Sequence, residues 1–402
     1  MSDVNPCFSQ DMWLEILKNL PVNTLGKCRC VCKSWHSLIV SPSFMAAHLK
    51  HYTRNDANSL IMYKETVASS NTEGFEQISL FRDLDMLKQG NTLHTSVCPF
   101  LVPRDLRVQT SLSSFYFVGS VNGLLCVSES KYLNPTDRIL IWNPLIKKSV
   151  KLPNSTFTGN NSVLGFGYDY RMYDHRVVKI SYLDANTPFV EVYSVQERIW
   201  RTISAKYLVD NSINNVSSSH CFHNGVIYWL ILTKRNEFSY SLGEYLLLFD
   251  VAEEKFAKME LPEEFVNIGS GVFGIFEYHG MLSLSYCNYT VFWEPYFSAD
   301  FKIWVKREYN VEGSWCKILR VGVLHDYFHK GPIEYLGANE MLIGIYRETL
   351  GQLGYYDCKI GAVTKLGLCI TRSTKFSAFS ESLALLDQNI DDLTAEELER
   401  YF

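Results

Sequence analysis

The most constraining stretch of this chain is Phe8 to His51, which carries more apolar surface than short helices can hide from one another. Apolar residues at Trp13, Ile16, Leu17 and Leu20 form one helical stripe, and Met12 and Leu14 widen it. Pro21 stops that helix, because its ring blocks continuation and it has no N–H to donate. A second helical pattern runs through Leu25, Cys28, Val31, Cys32, Trp35, Leu38 and Ile39, and Ser41-Pro42 ends it. Ser43 is placed to cap a further turn from Phe44 to Leu49. Segments of roughly 40 residues are marginal as independent folders. Part of this surface is therefore expected to be buried against another polypeptide.

After about Lys50 the texture changes to short β-rich runs punctuated by Asn122-Gly123, Asn143-Pro144, Asn224-Gly225 and His279-Gly280. No low-complexity linker intervenes, so the helices and strands are expected to pack together. The β region repeats. An aromatic residue precedes a turn at Trp142, Tyr193, Phe249, Trp304 and Tyr356, at spacings of 51, 56, 55 and 52 residues. A period near 50 built from four short strands suits a kelch-type propeller blade. Five marked turns and the unmarked β-rich stretch from Leu60 to Phe117 give about six blades. The run from Phe376 to Leu386 is expected to pair with the first β segment and close the ring, which removes open sheet edges.

Composition narrows the function classes. Hydrophobic content of 47% is ample for a large core, and a net charge of −5 gives no basic surface for nucleic acid. No apolar run is long enough for a membrane span, and the first residues do not read as a signal peptide. The 11 cysteines are then expected to stay reduced, in the cytosol or nucleus. Cys28, Cys30 and Cys32 alternate on the second helical pattern, so they read as core and interface thiols rather than metal ligands. His325 and His329 have zincin-like spacing without the intervening glutamate, and Gly165-Phe166-Gly167 lacks the third glycine of a dinucleotide fingerprint. That glycine pair reads as room for close blade packing. No nucleophile, metal cluster or cofactor site stands out.

The N-terminal segment resembles an F-box, the helical module that docks a substrate receptor onto the Skp adaptor of a cullin-based ubiquitin ligase. The resemblance rests on Glu15-Ile16-Leu17, Leu20-Pro21-Val22, Val31-Cys32-Lys33-Ser34-Trp35, Leu38-Ile39, Ser41-Pro42-Ser43-Phe44 and His48-Leu49, with Phe8-Ser9 where the family usually has Leu-Pro. Residues 118–370 resemble the F-box-associated region of plant F-box proteins, through VNGLLCV, IWNPLIKKSVKLP, GFGYDYRMYDHRVVKI, HNGVIYWL, LLLFDVAEEKF, KREYNVEGSWCKI and YDCKIGAVTKL. The resemblance implies an α+β multidomain chain. A three-helix F-box (1–51) comes first, then a kelch-like all-β propeller (52–386) and an acidic tail (387–402), where Thr394-Ala395-Glu396-Glu397 makes a capping box. It further implies a non-catalytic receptor without a cofactor, which binds a Skp-type adaptor, through it a cullin, and a protein substrate. Phe8, Leu14, Leu17, Leu20, Pro21, Leu25, Val31, Cys32 and Trp35 would meet the adaptor. For the substrate, two loops rich in aromatics are expected: Tyr170, Arg171, Tyr173, His175 and Arg176 in one, Tyr289, Trp293 and Tyr296 in the other. An F-box scaffold acting outside a ligase and a propeller enzyme are the alternatives.

Overall fold

Asn-Gly and His-Gly pairs place two successive residues at positive φ, the geometry of a tight hairpin turn whose twist matches the strands it joins. Asn122-Gly123, Asn224-Gly225 and His279-Gly280 adopt it, with φ between 48° and 81°. Each folds the first strand of a repeat onto the second. The turn from third to fourth strand is fixed by a side chain instead. Asp250 Oδ1 accepts from the N–H groups of Ala252 and Glu253, and Asp357 Oδ1 from those of Lys359 and Ile360.

These turns produce six four-stranded antiparallel sheets. In a computed structural model, residues 9–53, 60–67, 75–97, 116–129, 138–157, 161–182, 187–211, 213, 216–236, 239–266, 271–291, 297–309, 311, 313–325, 332–337, 340–347, 350–370 and 375–386 are described. The N-terminal sheet strands are β1 (Leu60–Val67), β2 (Phe75–Phe81) and β3 (His94–Val97). A complete blade follows as β4 (Tyr116–Val121), β5 (Leu124–Ser128), β6 (Ile139–Asn143) and β7 (Lys148–Lys151). The next is β8 (Asn161–Asp169), β9 (Asp174–Tyr182), β10 (Pro188–Ser194) and β11 (Ile199–Ile203). After it come β12 (Val216–His223), β13 (Val226–Asn236), β14 (Ser239–Asp250) and β15 (Lys255–Glu260), then β16 (Val272–Tyr278), β17 (Met281–Val291), β18 (Phe297–Lys306) and β19 (Trp315–His325). The last full blade is β20 (Pro332–Gly337), β21 (Glu340–Arg347), β22 (Leu350–Asp357) and β23 (Ala362–Ile370), and β24 (Lys375–Phe379) ends the series. β24 pairs antiparallel with β1, Leu60 facing Phe379, so strands from both ends of the β region share one blade and close the ring as expected.

The five periodic aromatics all lie in third strands and are all buried: Trp142, Tyr193, Phe249, Trp304 and Tyr356 are at most 7% exposed. Each seals its sheet against a neighbour. Fourth-strand tryptophans add staples between blades, Trp200 Nε1 donating to Pro153 O at 2.8 Å and Trp315 Nε1 to Glu260 O at 2.9 Å. Gly165 and Gly167 in β8 make room for the next blade. A Cβ on Gly165 would sit 2.2 Å from Trp229 Cζ2, and one on Gly167 2.9 Å from Val251 Cγ2. His175, at the start of β9, is walled in between blades with its Nε2 3.1 Å from Val121 O. Desolvation pushes its imidazole down to about 4.

The helical module is α1 (Gln10–Leu17), α2 (Val22–Cys28), α3 (Lys33–Ile39) and α4 (Pro42–Thr53). The second helical pattern is thus two helices, broken by a turn at residues 29–32. Cys30 and Cys32 therefore lie off the helix on which their spacing was read. Ser9 caps α1, its Oγ accepting from Met12 N–H. Leu17, Val22, Leu25, Ile39 and Phe44 are fully buried in one cluster with Leu60, Met62, Leu80, Leu125, Leu140, Trp142 and Phe379 of the ring. Burying each such side chain contributes about 1.5–3 kcal/mol. Helices and ring therefore share a core. The segment after β24 ties them further: Glu381 Oε2 accepts from Val22 N–H at 2.8 Å, and the carbonyls of Ser382 and Ala384 accept from Asn143 Nδ2.

Three outcomes follow from this packing. Gly165→Ala should cost about 1–3 kcal/mol by overpacking against Trp229, whereas Gly26→Ala, with open space around its Cβ, should leave denaturant stability unchanged or higher. Glu381→Ala orphans the buried Val22 N–H and should cost about 1–3 kcal/mol. Glu381→Gln keeps an acceptor and sheds a desolvated charge, so urea melts should find it the milder change. Finally, an unfolded imidazole gains its proton near pH 6.5 while folded His175 resists until about 4, so the unfolded state holds more protons in between. Stability should fall as pH drops through that window, by up to about 3 kcal/mol from this group, and His175→Gln should flatten the slope.

Candidate docking surfaces

The helical module presents two different apolar faces. Its inner face is consumed by the shared core, which corrects two of the expected adaptor contacts. Leu17 and Leu25 are fully buried among the chain's own residues and hold the module on the ring. Periodicity could not separate them from their neighbours, because α1 is apolar on both sides. Leu14, Leu20 and Trp35 are half-buried at the edge of that core. Pro21, Val31 and Cys32 are exposed, Val31 at 63%, and they are joined by Met12 at 47% and Ile16 at 44%. Met12 and Ile16 stand four apart on α1, the spacing of one helix face. Phe8 lies outside the described residues.

Aromatic contacts stiffen this outer face. Trp13 of α1 meets Trp35 of α3 edge-on, with ring centroids 4.9 Å apart. His48, fully buried and stacked on Tyr52, places its Nε2 3.0 Å from Leu20 O, so α4 holds the α1–α2 corner in place. Cys32 Sγ lies 3.1 Å from Ser34 Oγ, and that contact draws the exposed thiol below its usual range. Among the described residues no group of three or more His, Cys, Asp or Glu side chains is arranged to hold a metal ion.

The first expected substrate loop is centred on a turn between strands, whereas the described part of the second is strand. Asp169 to Arg176 includes the β8–β9 turn, where Asp169 Oδ1 accepts from Arg171 and Met172 N–H and Tyr173 takes φ 56°. Tyr170, Arg171 and Tyr173 project there at 55–65% exposure, together with Met172. Tyr170 stacks on Phe222, Arg171 pairs with Glu253 at 2.7 Å, and the loop is thereby tied to the next blade. His175 and Arg176, by contrast, are buried at 7% and 5%. They are corrected to packing residues: both have already entered β9, His175 bonded across to Val121 and Arg176 paired with Asp174 at 3.1 Å. Of the second expected loop, Tyr286 to Val291 belong to β17. Near the first loop, Glu277 Oε2 lies 2.8 Å from Nδ1 of His223, the residue after the Phe222 on which Tyr170 stacks. Tyr289 is in β17, pairing with Ala299, while Trp293 and Tyr296 lie outside the described residues.

Comparison with known proteins places this architecture. An F-box domain model matches residues 6–46, and a model described as the F-box associated beta propeller domain matches residues 86–327, more than half of the chain. Among curated relatives, F-box/kelch-repeat protein At3g23880 of Arabidopsis thaliana is 24% identical over 87% of this chain and 88% of its own length. The putative F-box protein At5g52610 from the same plant is 25% identical over 94% and 99%, and F-box protein CPR1 is 24% identical over 77% and 72%. A helical module with an apolar outer face, cemented to a closed six-bladed ring, with the two domain models matched in this order, makes the chain a member of the F-box proteins that carry an F-box-associated β-propeller.

Proposed function

We propose that this chain is the substrate-recognition subunit of a Skp–cullin–F-box ubiquitin ligase, working in the cytosol or nucleus. The observation that carries the reading is the split of the helical module into a face sealed by its own ring and an outer face left apolar at Met12, Ile16 and Val31. Large exposed apolar side chains gathered on one small module mark a protein-binding site. A Skp-type adaptor fits that face, with Pro21 and Cys32 beside it and Leu14, Leu20 and Trp35 behind it. The cullin would be reached through the adaptor.

The ring then holds the target. Tyr170, Arg171, Met172 and Tyr173 form an exposed tip on a turn held by Asp169, and Tyr and Arg are the residue types that dominate binding energy at interfaces. Because module and ring share one core, a target on the ring is kept at a fixed offset from the adaptor. Transfer to its lysines would be promoted by proximity, with no catalytic group from this chain.

Ile16→Asp with Val31→Asp should weaken capture of a purified Skp-type adaptor by more than about tenfold, since charge replaces apolar contact at two anchors. The melting temperature should hold, both side chains being exposed. Leu17→Ala should do the reverse, costing about 2–5 kcal/mol of stability with little loss of affinity in the folded fraction. Unchanged adaptor capture by the double aspartate variant contradicts the proposal.

A further inference from the structure

Four successive blades meet beside Tyr170. Their first strands, β4, β8, β12 and β16, neighbour one another in that order, so the turns that follow them gather at one mouth of the ring. Tyr170 stacks on Phe222, ring centroids 6.3 Å apart, and its Cδ2 lies 3.9 Å from where a Cβ on Gly225 would stand. Partial burial and then the charge of Glu277 push the Tyr170 phenol above its usual range, while the Asn122 side chain pulls the other way. One aromatic ring thus lies against the β4–β5 turn, the β12–β13 turn and the end of β16.

Glu277 stands at this mouth with its side chain 52% exposed, yet one of its oxygens is fixed from the neighbouring blade. Buried His223 holds Nδ1 2.8 Å from Glu277 Oε2, and Asn224 Nδ2 stands 2.7 Å from the imidazole Nε2. The amide donates to Nε2, so Nδ1 carries the proton and donates to Glu277. The imidazole is therefore neutral, and the carboxylate keeps its negative charge. Tyr309 stacks on the imidazole at 5.5 Å, its own hydroxyl accepting from Leu282 N–H at 2.9 Å. Among the described residues no lysine or arginine pairs with Glu277, and Arg171 of the Tyr170 turn is engaged with Glu253.

An oriented carboxylate beside an exposed aromatic face is a receptor for cations. An ammonium or guanidinium forms charge-assisted hydrogen bonds to the carboxylate and is drawn to the face of the ring. An acidic group is repelled by the first and gains nothing from the second. The carboxylate is held in advance of contact, so binding it costs little ordering. We propose that Glu277 receives a lysine or arginine side chain of the target protein, laid along Tyr170, an assignment that rests on the target-holding role given to the Tyr170 turn above. The ring then selects targets that present a basic residue in an accessible segment.

Glu277→Gln keeps an oxygen that accepts from His223 and removes only the charge, so its melting temperature should match that of the native chain. The native chain, full-length Glu277→Gln and full-length Tyr170→Ala would each be presented to a displayed library of random peptides. Peptides enriched by the native chain and lost by Tyr170→Ala should be rich in Lys and Arg. One such peptide, synthesised, should bind Glu277→Gln at least about tenfold more weakly. Its version with glutamine in place of the basic residue should bind the two chains alike, since the partner charge is gone. Added salt should weaken the basic peptide on the native chain more than on the variant. Tyr170-dependent peptides without basic enrichment, or with affinity indifferent to Glu277→Gln, overturn the inference and leave the target-holding role of the ring standing. No Tyr170-dependent peptide at all overturns both, while capture of a purified Skp-type adaptor by the same preparation tests the helical module separately.

Discussion

The structure turns on a single buried contact, the carboxylate of Glu381 on the N–H of Val22. Pro21 occupies the capping position of α2 and has no side chain that can accept a hydrogen bond, so the first amide of that helix must find an acceptor elsewhere. The acceptor comes from more than 350 residues away, on the segment that has just completed the last blade. Burial raises the affinity of Glu381 for its proton, offset in part by this bond and by Arg82. The same segment passes the β4–β5 turn so closely that a Cβ on Gly123 would clash with Ser382 and with the carbonyl of Ser380. The strand that closes the ring thus runs straight into the residues that seat the helices, so ring closure and helix docking are coupled through one segment.

This coupling explains how a module of four short helices can leave apolar side chains in solvent. In isolation its residues would have to choose which apolar face to hide. Here the choice is made by the ring, which takes Leu17, Val22, Leu25, Ile39 and Phe44. What remains outside is held rigid by Trp13 on Trp35 and by His48 beneath the α1–α2 corner. A preorganised face binds with less ordering cost than one that must be assembled on contact.

The blade period was legible because the third-strand aromatic is a packing requirement repeated in every sheet. Trp142, Tyr193, Phe249, Trp304 and Tyr356 mark it, and the Gly165-Phe166-Gly167 pair gave away a close blade contact for the same reason. Ring closure was legible from the strand-like run after Phe376, which pairs through Phe376 and Phe379 with β1. Other features depend on long-range partners that periodicity does not carry. Leu17 and Ile16 are adjacent and equally apolar, yet one is core and the other surface. His175 and Arg176 sit next to an exposed tip, but β9 begins at Asp174 and is buried on both faces, so neither side chain reaches solvent. Glu381 gave only an indirect signal, a helix opening on proline with no local cap.

Helices and ring share one core and leave one apolar face of the module outside it, the face proposed to take the adaptor. Hydrogen–deuterium exchange of the full chain, with and without a purified Skp-type adaptor, tests this most directly. Amides of α2 and α4 should exchange no faster than those of β4 and β5, and adaptor should add protection across residues 12–20 and 30–35 while leaving the Tyr170 turn untouched. Helices that open well before the ring, or protection appearing on the blades instead of the helical corner, would contradict it.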